Sequence, residues 1–455
     1  MFFKFAGKIW TLFMPIVILF NSFGLNLGFI SNTVEITYDF ANDKAYSAAG
    51  TITLNADIGG TYKLYWGDEN AEKLSSDVKG YKAIYSEFAE VEVRNGTGST
   101  EIYSFTAIPE GAEYVIAYKM SIECGVMEMP ENKIAADEAP LYTFGALSDV
   151  HFNRYSSSLT GDDAMLTFPN ALNYLEGMGV SMVGISGDIS SDGELDAYQK
   201  YNSVVSEYDF PVYTCTGNHD VGEGLNLEGW QANMNIGVYG ENKAEGVLEV
   251  AENGIDFVYA PSAAKGDVFI FFSQVFWDYN RPESRLVTDE QLDWLEEQLE
   301  THKDTTVYLF FHTFFADNEG NVSLGEGNII NSAGATYDLV YTPGCEDEVR
   351  FRSFLQKYHN VVFFNGHSHL AYDMHEYNER LNITDYDGTY ATMVHVSSVS
   401  SPRRVDSDND ASPSDRAMYS SEGYCISVYE DRIVLTAVDF LRGEPLAYAT
   451  YVIEK

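Results

Sequence analysis

The chain has 455 residues, of which 45% are apolar, and this size and composition predict a folded protein of two or three domains and exclude a disordered chain. Its 69 acidic and 27 basic residues give a net charge of −42 at pH 7. Because such a charge repels nucleic acid, we expect no nucleic-acid polymer as a partner, and an anionic substrate would need a local source of positive charge.

The first 30 residues predict a targeting segment. Lys4 and Lys8 precede an apolar run at residues 9–20, a pattern typical of a signal peptide. Asn21 and Ser22 disfavour a membrane-spanning helix, but no A-x-A cleavage site follows, so an uncleaved anchor stays an alternative. We expect residues 1–30 to be a signal peptide or N-terminal anchor, and the protein to be secreted or extracytoplasmic, with membrane anchoring through residues 1–30 as an open alternative.

Residues 33–130 alternate apolar and polar positions in short runs such as "TVEITYDF" and "EYVIAYKM", separated by turn signals such as "NGTG". This spacing predicts a small all-β sandwich of the immunoglobulin or fibronectin-III type. Residues 131–140 carry charge and little periodicity, and we expect a linker there.

From residue 141 to residue 455, short apolar strands alternate with helical patterns, which predicts an α/β domain. Helix "VTDEQLDWLEEQLETHK" places Leu292, Leu295 and Leu299 on one face, and Thr288 with Gln291 forms a capping-box pattern. The strands "GYCISVYEDRIVLTAVDF" and "PLAYATYVIEK" are expected to complete a second sheet of this domain.

The remaining short patterns predict little chemistry. The four cysteines are widely scattered and form no C-x-x-C motif. A disulfide such as Cys345 with Cys425 is one of several pairings that an oxidising compartment would permit. Three glycosylation sequons begin at Asn95, Asn321 and Asn382. The acidic stretch 406–415 lacks the glycine and the distal glutamate of a calcium loop, so we interpret it as a solvated loop.

Polar side chains follow five of the predicted α/β strands, where each strand ends. In α/β sheets, ligands bind outside the carboxyl ends of the strands. Five of the nine histidines of the chain lie in this set, which favours a shared site over scattered core or surface positions. The set comprises Asp149, His151, Asp188, Asn218, His219, His312, His367 and His369, and Asp220 adjoins it.

Imidazole nitrogens and carboxylate oxygens suit zinc, iron or manganese. Eight such groups are too many for one tetrahedral ion and fit two ions that share a bridging carboxylate. We therefore expect two divalent or trivalent metal ions, Mn, Fe or Zn, as cofactors. Such a pair would also supply the positive charge that an anionic substrate needs, and it would make a bridging hydroxide available near neutral pH.

The order of these motifs resembles the calcineurin-like metallophosphoesterases. The chain reads D-V-H at residues 149–151, G-D at 187–188, G-N-H-D at 217–220, a single histidine at 312 and G-H-S-H at 366–369. The resemblance covers about residues 141–400 and implies a four-layer α/β/β/α sandwich with the site at the strand ends.

The resemblance also implies a role for each residue. One metal would be held by Asp149, His151 and His369, the second by Asn218, His312 and His367, and Asp188 would bridge both. His219 would be no ligand but a general acid or a phosphate contact, oriented by Asp220. The N-terminal β-domain is similar to that of purple acid phosphatases, but Ser191 stands where those enzymes have a tyrosine ligand, which disfavours a purple iron site.

These observations predict a secreted two-metal phosphoesterase that hydrolyses a phosphomonoester or phosphodiester of a small molecule or of a cell surface. One alternative is a surface binding or adhesion protein that uses the β-sandwich and keeps an inactive phosphoesterase scaffold. A second is a related two-metal hydrolase that cleaves something other than phosphate. Other candidates receive simpler interpretations: His302 at the surface, His359 in a capping role at a helix end, His395 in the core, surface pairing for Arg403 and Arg404, and a cleft-mouth position for Tyr155, Trp230 and Trp277.

Overall fold

The computed structural model describes residues 33–455 except 79–80, 85–86, 134–137, 154–162, 223–224, 241, 277–284, 316–345, 374–378, 386 and 404–419. The predicted signal segment, the loop 406–415 and Cys345 lie outside the described residues. Within the described part, no helix is both long and apolar enough to cross a membrane.

The N-terminal region is all-β and antiparallel, as predicted. One sheet has the order β1-β2-β7, a second has the order β6-β3-β8-β9, and β4-β5 is a separate hairpin. Both larger sheets bury apolar residues in one shared core, in which the ring of Trp66 stacks on that of Phe88. The strands are β1 (Val34–Phe40), β2 (Gly50–Ala56), β3 (Gly60–Gly67), β4 (Ser75–Val78), β5 (Tyr81–Ile84), β6 (Glu87–Val93), β7 (Thr97–Ile102), β8 (Tyr114–Lys119) and β9 (Ile122–Glu128).

The α/β region contains two sheets. The first has the order β12-β11-β10-β20-β21-β22, and the second has the order β13-β14-β15-β16-β17-β19-β18. The strands are β10 (Tyr142–Leu147), β11 (Val183–Ile185), β12 (Val212–Thr214), β13 (Val247–Val250), β14 (Phe257–Tyr259), β15 (Val268–Phe271), β16 (Val307–Phe310), β17 (Val361–Asn365), β18 (Ile383–Thr384), β19 (Thr392–His395), β20 (Glu422–Val428), β21 (Arg432–Asp439) and β22 (Glu444–Glu454).

The C-terminal strands do belong to this domain, but the division into sheets differs from the prediction. The seven predicted α/β strands are split between the two sheets, and β20–β22 extend the sheet that contains β10–β12. Strand β20 pairs antiparallel with β10, with Gly145 opposite Cys425. Sequence periodicity identifies strands but carries no signal for which neighbours they pair with.

Helices cover the outer faces of both sheets and complete the four-layer architecture. An apolar core with Phe144, Phe310 and Phe364 fills the space between the sheets. A second core joins the β16 sheet to α5 and α6, and a third joins the β10 sheet to α1 and α2. The helices are α1 (Ala164–Gly177), α2 (Leu195–Val205), α3 (Asn218–Val221), α4 (Leu227–Asn233), α5 (Asp289–Thr301) and α6 (Glu346–Lys357).

Helix α5 shows how local sequence sets an element. The Thr288 hydroxyl accepts a hydrogen bond from Gln291 N (3.2 Å), and the Gln291 side chain accepts one from Thr288 N (3.0 Å), so the predicted capping box is present. Leu292, Leu295 and Leu299 are all buried against the β16 sheet. Capping and one apolar face therefore place this helix as the sequence predicts.

Backbone hydrogen bonds join the N-terminal region to the α/β region. Ala107 N donates to Thr450 O (3.1 Å), and Val452 N donates to Phe105 O (2.7 Å), so the segment 105–107 lies beside β22. Buried Lys133, in the predicted linker, donates from Nζ to Lys44 O at 2.9 Å. The bonds of segment 105–107 fix the sandwich against β22, the outer strand of the first sheet, and the Lys133 bond ties the predicted linker to the sandwich.

Candidate metal centre

The structure brings the predicted site residues together at one place. They follow β10, β11, β12, β16 and β17, the strands whose carboxyl ends the sequence pattern indicated. All are buried except His219, which is half-buried. Three groups of side chains lie close enough to hold a metal ion: Asp149 with His151 and His369, Asp188 with His312 and His367, and His151 with Asp188 and His219.

The first cluster forms around Asp149. Its Oδ1 lies 3.0 Å from His369 Nε2, and the Nε2 atoms of His151 and His369 are 3.1 Å apart. Its Oδ2 accepts hydrogen bonds from the Ser148 hydroxyl (2.7 Å) and from His367 N (2.9 Å). One carboxylate oxygen is thus held by the protein, and the other points at two imidazoles.

The second cluster forms around His312. Its Nε2 lies 3.1 Å from Asp188 Oδ2, from Asn218 Oδ1 and from His367 Nδ1. Asp188 Oδ2 also lies 3.5 Å from His151 Nε2 in the first cluster. Asp188 therefore occupies the position between the clusters that a bridging ligand requires.

The backbone at this site is strained. Five of the predicted ligands have left-handed φ values, which non-glycine residues rarely adopt: Asp149 (54°), His151 (52°), Asp188 (54°), His367 (73°) and His369 (62°). Each such residue costs of the order of 1–3 kcal/mol, and such strain is concentrated at functional sites. The tight turns let each chain segment end its strand and aim a side chain at the same point.

Two ligand histidines have their outer nitrogens fixed by carbonyl groups. His312 Nδ1 donates to Ser186 O (2.6 Å), and His369 Nδ1 donates to Ser401 O (3.2 Å). In each ring Nε2 then faces a carboxylate, Asp188 Oδ2 or Asp149 Oδ1, and among the described residues neither of these buried oxygens has a geometrically well-formed hydrogen bond. An imidazole nitrogen opposite a carboxylate oxygen is unfavourable unless a proton or a metal ion lies between the two atoms.

Protonation of the histidines would place a proton opposite only some of the carboxylate oxygens of this cluster. Burial lowers the pKa of His312, but the carboxylates of Asp188 and Asp149 outweigh it and raise the pKa to about 9. Burial and the nearby His312 lower the pKa of His367 to about 3, and burial likewise holds the pKa of His369 well below its usual range. Burial would raise the pKa of Asp149 and of Asp188, but the adjacent histidines hold both below the usual range. The donor set of neutral imidazoles, carboxylates and one amide oxygen fits metal ions.

His219 and Asp220 are arranged differently from the prediction. His219 Nδ1 lies 2.5 Å from Ser191 O, and its backbone N–H donates to Asp188 Oδ1 (2.9 Å). The Asp220 carboxylate instead accepts bonds from Gly217 N (3.0 Å) and from the N–H and hydroxyl of Ser190 (2.9 Å each). The short helix α3 turns these neighbouring side chains in different directions, so Asp220 stabilises the turn and a carbonyl group positions the imidazole.

Sequence reasoning did not find the groups that position the ligands. The carbonyl oxygens of Ser186, Ser191 and Ser401 belong to the backbone, which every residue has, so the residue types do not reveal this role. The Ser398 hydroxyl donates to Asp149 O (2.9 Å) and accepts from Ser401 N (2.9 Å), which ties the first cluster to the loop after β19. The serine-rich sequence of this loop does not indicate that it positions a metal ligand.

Several lesser predictions can be compared with the structure. His395 is buried and its Nε2 lies 3.0 Å from Leu370 O, which confirms a core role. His359 was predicted to cap a helix end, and its Nε2 lies 3.1 Å from Gln356 O in the last turn of α6. Trp230 is fully buried beside Tyr198 of α2, so the predicted position at the cleft mouth is wrong. Tyr155, Trp277 and Arg404 lie outside the described residues.

Hydrogen bonds place two further residues that the sequence patterns singled out. The N–H of Arg403 donates to His369 O (2.6 Å), so this residue adjoins the first cluster and is not confined to a remote surface pair. The sequon at Asn382 is fully buried, and its amide donates to Tyr372 O and to the Tyr451 hydroxyl (2.9 Å each), which leaves no room for a glycan.

The chain is similar to one known protein family and to several solved structures. The family described as "Calcineurin-like phosphoesterase" matches residues 142–371, just over half of the chain. No curated protein matches. A solved dimetal phosphatase from Danio rerio is 16% identical, with 69% of this chain and 99% of that chain covered and a TM-score of 0.45.

A purple acid phosphatase from yellow lupin (Lupinus luteus) seeds is 12% identical, with 93% of this chain and 74% of that chain covered and a TM-score of 0.42. The family match rests on the segment that carries all five ligand motifs. The chain belongs to the calcineurin-like phosphoesterase family and is a metal-dependent phosphoester hydrolase.

Proposed function

We propose that this protein is an extracytoplasmic two-metal phosphoesterase that hydrolyses a phosphomonoester or phosphodiester of a small molecule or of a cell-surface component. The observation that carries the proposal is the pair of clusters joined by Asp188, whose Oδ2 lies 3.1 Å from His312 Nε2 and 3.5 Å from His151 Nε2. The apolar run at residues 9–20 supports export, either with cleavage or with retention as a membrane anchor.

Asp149, His151 and His369 would hold one metal ion, Asn218, His312 and His367 would hold the other, and Asp188 would contact both. When bound, manganese, iron or zinc ions at these positions supply Lewis acidity, which acidifies water and offsets the charge of a phosphate. The retention of every ligand favours this function over the alternative of an adhesion protein with an inactive scaffold.

His219 is proposed to act on the substrate directly. Since its Nδ1 donates to Ser191 O, its Nε2 is the ring nitrogen that can carry a proton to the leaving oxygen. His219 is half-buried, whereas the proposed ligands are buried, so it lies at the edge of the centre where substrate would arrive. A positioned acid of this kind contributes about 10²–10⁴ in rate.

The charge of the protein limits its substrates. A net charge of −42 disfavours long polyanions such as nucleic acids, while a small phosphate ester exposes little charge to this field. We therefore propose small esters, such as nucleotides, sugar phosphates or lipid head groups, as the substrate class.

Two chromogenic substrates test the proposal. The purified full-length protein is loaded with manganese or zinc and assayed in parallel with p-nitrophenyl phosphate and bis(p-nitrophenyl) phosphate. We expect turnover of at least one, with the preferred substrate distinguishing a monoesterase from a diesterase. Absence of turnover of both by protein that retains two metal ions would contradict the proposed function.

A further inference from the structure

The most exposed large apolar side chains of the described residues lie side by side at a hairpin tip. Met120 is 89% exposed and Ile122 is 68% exposed. Met120 and Ser121 connect β8 to β9, and both have left-handed φ values, 50° and 69°. A two-residue loop with two positive φ values favours asparagine and glycine. Methionine at this position therefore combines backbone strain with exposure of apolar surface.

This tip lies at the end of the sandwich where the described chain begins. Val34 opens β1 and pairs with Ala56, whose N–H donates to Gly96 O (3.0 Å). The loop after Ala56 reaches the tip, since Lys119 Nζ donates to Gly59 O. Val34 also contacts Gly125 of β9. We call this end the N-terminal pole.

The α/β region is attached at the other end of the sandwich. Ala48, just before β2, donates from its N–H to Thr106 O (2.9 Å), and the adjoining segment 105–107 pairs with β22. A seven-residue strand such as β1 is about 20 Å long, so roughly this distance separates the N-terminal pole from the α/β region.

The chain before the pole is apolar and the connection is short. The run at residues 9–20 is followed by only 13 residues, 21–33, before β1 begins at Val34. Fully extended, 13 residues span at most about 45 Å, and they usually span less. An anchor at residues 1–30 would therefore keep the pole close to the membrane and raise its effective concentration there.

We infer that the N-terminal pole is a membrane-contacting surface, in which Met120 and Ile122 enter the interfacial region of a lipid bilayer while the metal centre is held away from it. This inference rests on the proposed export and, of its two alternatives, on the retention of residues 1–30 as an anchor. Apolar burial in the bilayer compensates for the exposure and the strain at the hairpin tip.

The test uses tryptophan as a depth probe in the full-length protein. The variant Met120→Trp is reconstituted into phosphatidylcholine vesicles with or without bromine on the acyl chains, and Leu166→Trp is the matched control. Leu166 is 61% exposed on α1 of the α/β region. After subtraction of the five native tryptophans, we expect bromine to quench the added emission at position 120 and to leave that at position 166 unchanged.

The outcomes separate the inference from the proposed function. Vesicle flotation with no quenching at position 120 would overturn the membrane contact while leaving the anchor. Absence of flotation would overturn both, and phosphoesterase activity, measured on the same samples, is independent of either result. Emission from the Met120→Trp probe that is already typical of a buried indole without lipid would show that residues 1–30 or a second copy cover the pole, and this too would overturn the inference.

A second variant checks that the apolar tip is not required for folding. M120N/S121G installs the favoured turn sequence and should raise the thermal midpoint by of the order of 2 °C with unchanged activity. In the same background, an Ile122→Trp probe should lose bromine quenching relative to Ile122→Trp alone. A lowered midpoint would show that Met120 stabilises the fold, which removes the premise of the inference.

Discussion

Replacing His219 by alanine separates its proposed role from that of the ligands around it. Loss of a positioned general acid should lower kcat by about 10²–10⁴, which corresponds to about 2.7–5.4 kcal/mol of transition-state stabilisation. The fold should change little, because the half-buried imidazole donates a hydrogen bond to Ser191 O that is worth about 0.5–1.5 kcal/mol. We therefore expect a large kinetic defect in a folded protein with its full metal content.

The leaving group sharpens this test. A nitrophenolate leaves as a stable anion and needs little protonation, whereas an alkoxide needs a proton in the transition state. His219→Ala should therefore lose far more activity on an alkyl phosphate than on p-nitrophenyl phosphate. The matched control is His359→Ala, which removes an exposed histidine whose Nε2 lies 3.1 Å from Gln356 O, remote from the centre.

Steady-state kinetics with both substrates and metal analysis of the same preparations decide the outcome. Equal losses on the two substrates would refute proton donation to the leaving oxygen. Loss of one metal ion would show that His219 is a ligand, in keeping with its proximity to His151 and Asp188.

Contacts at and behind the centre give three further predictions. Gly366→Ala would push a methyl group into the Ser148 hydroxyl and the Asp149 carboxylate, so metal analysis should show loss of the first ion, with the second better retained. Chelation should abolish activity and lower the thermal midpoint, because the buried ligands, including Asp149 and Asp188, then lose the metal ions that bind the folded state, and added manganese should restore both. Burial raises the pKa of Glu422 from 4.5 to about 7. Its contribution to the free energy of unfolding should therefore be most favourable below pH 4.5 and should fall as the pH rises to about 7. Urea unfolding should then show Glu422→Gln equal to the parent at pH 4.5 and more stable by about 3 kcal/mol at pH 8; a constant difference across pH would contradict this.

Much of the fold was accessible from the sequence because its signals are local. Apolar runs fix β10, β16 and β17, and the residues directly after them become ligands without further information. The capping box of α5 is likewise a short-range pattern. The assignment of β20–β22 to the first sheet depends on the pairing of β20 with β10, about 280 residues apart in the sequence, for which periodicity gives no signal.

Failures of prediction have physical causes. Trp230 looked like a cleft aromatic, but the short helix α4 packs it against Tyr198. Asn382 matched a sequon, yet its amide is required by two buried acceptors. The resemblance implied that Asp220 orients His219, whereas neighbouring residues in a helical turn point about 100° apart.

Neutral carbonyl groups orient three histidines of the centre. Ser186 O, Ser191 O and Ser401 O lie beside Nδ1 of His312, His219 and His369. A carboxylate in any of these positions would raise the pKa of its imidazole and add negative charge at the site.

With carbonyl partners, the negative charge among the proposed ligands is confined to Asp149 and Asp188. Two divalent ions would exceed the charge of two carboxylates, so the loaded centre would carry excess positive charge within a protein of net charge −42. The use of carbonyl partners therefore lets a strongly acidic protein attract a phosphate ester to one buried point, because each additional carboxylate there would cancel part of the charge that binds the substrate.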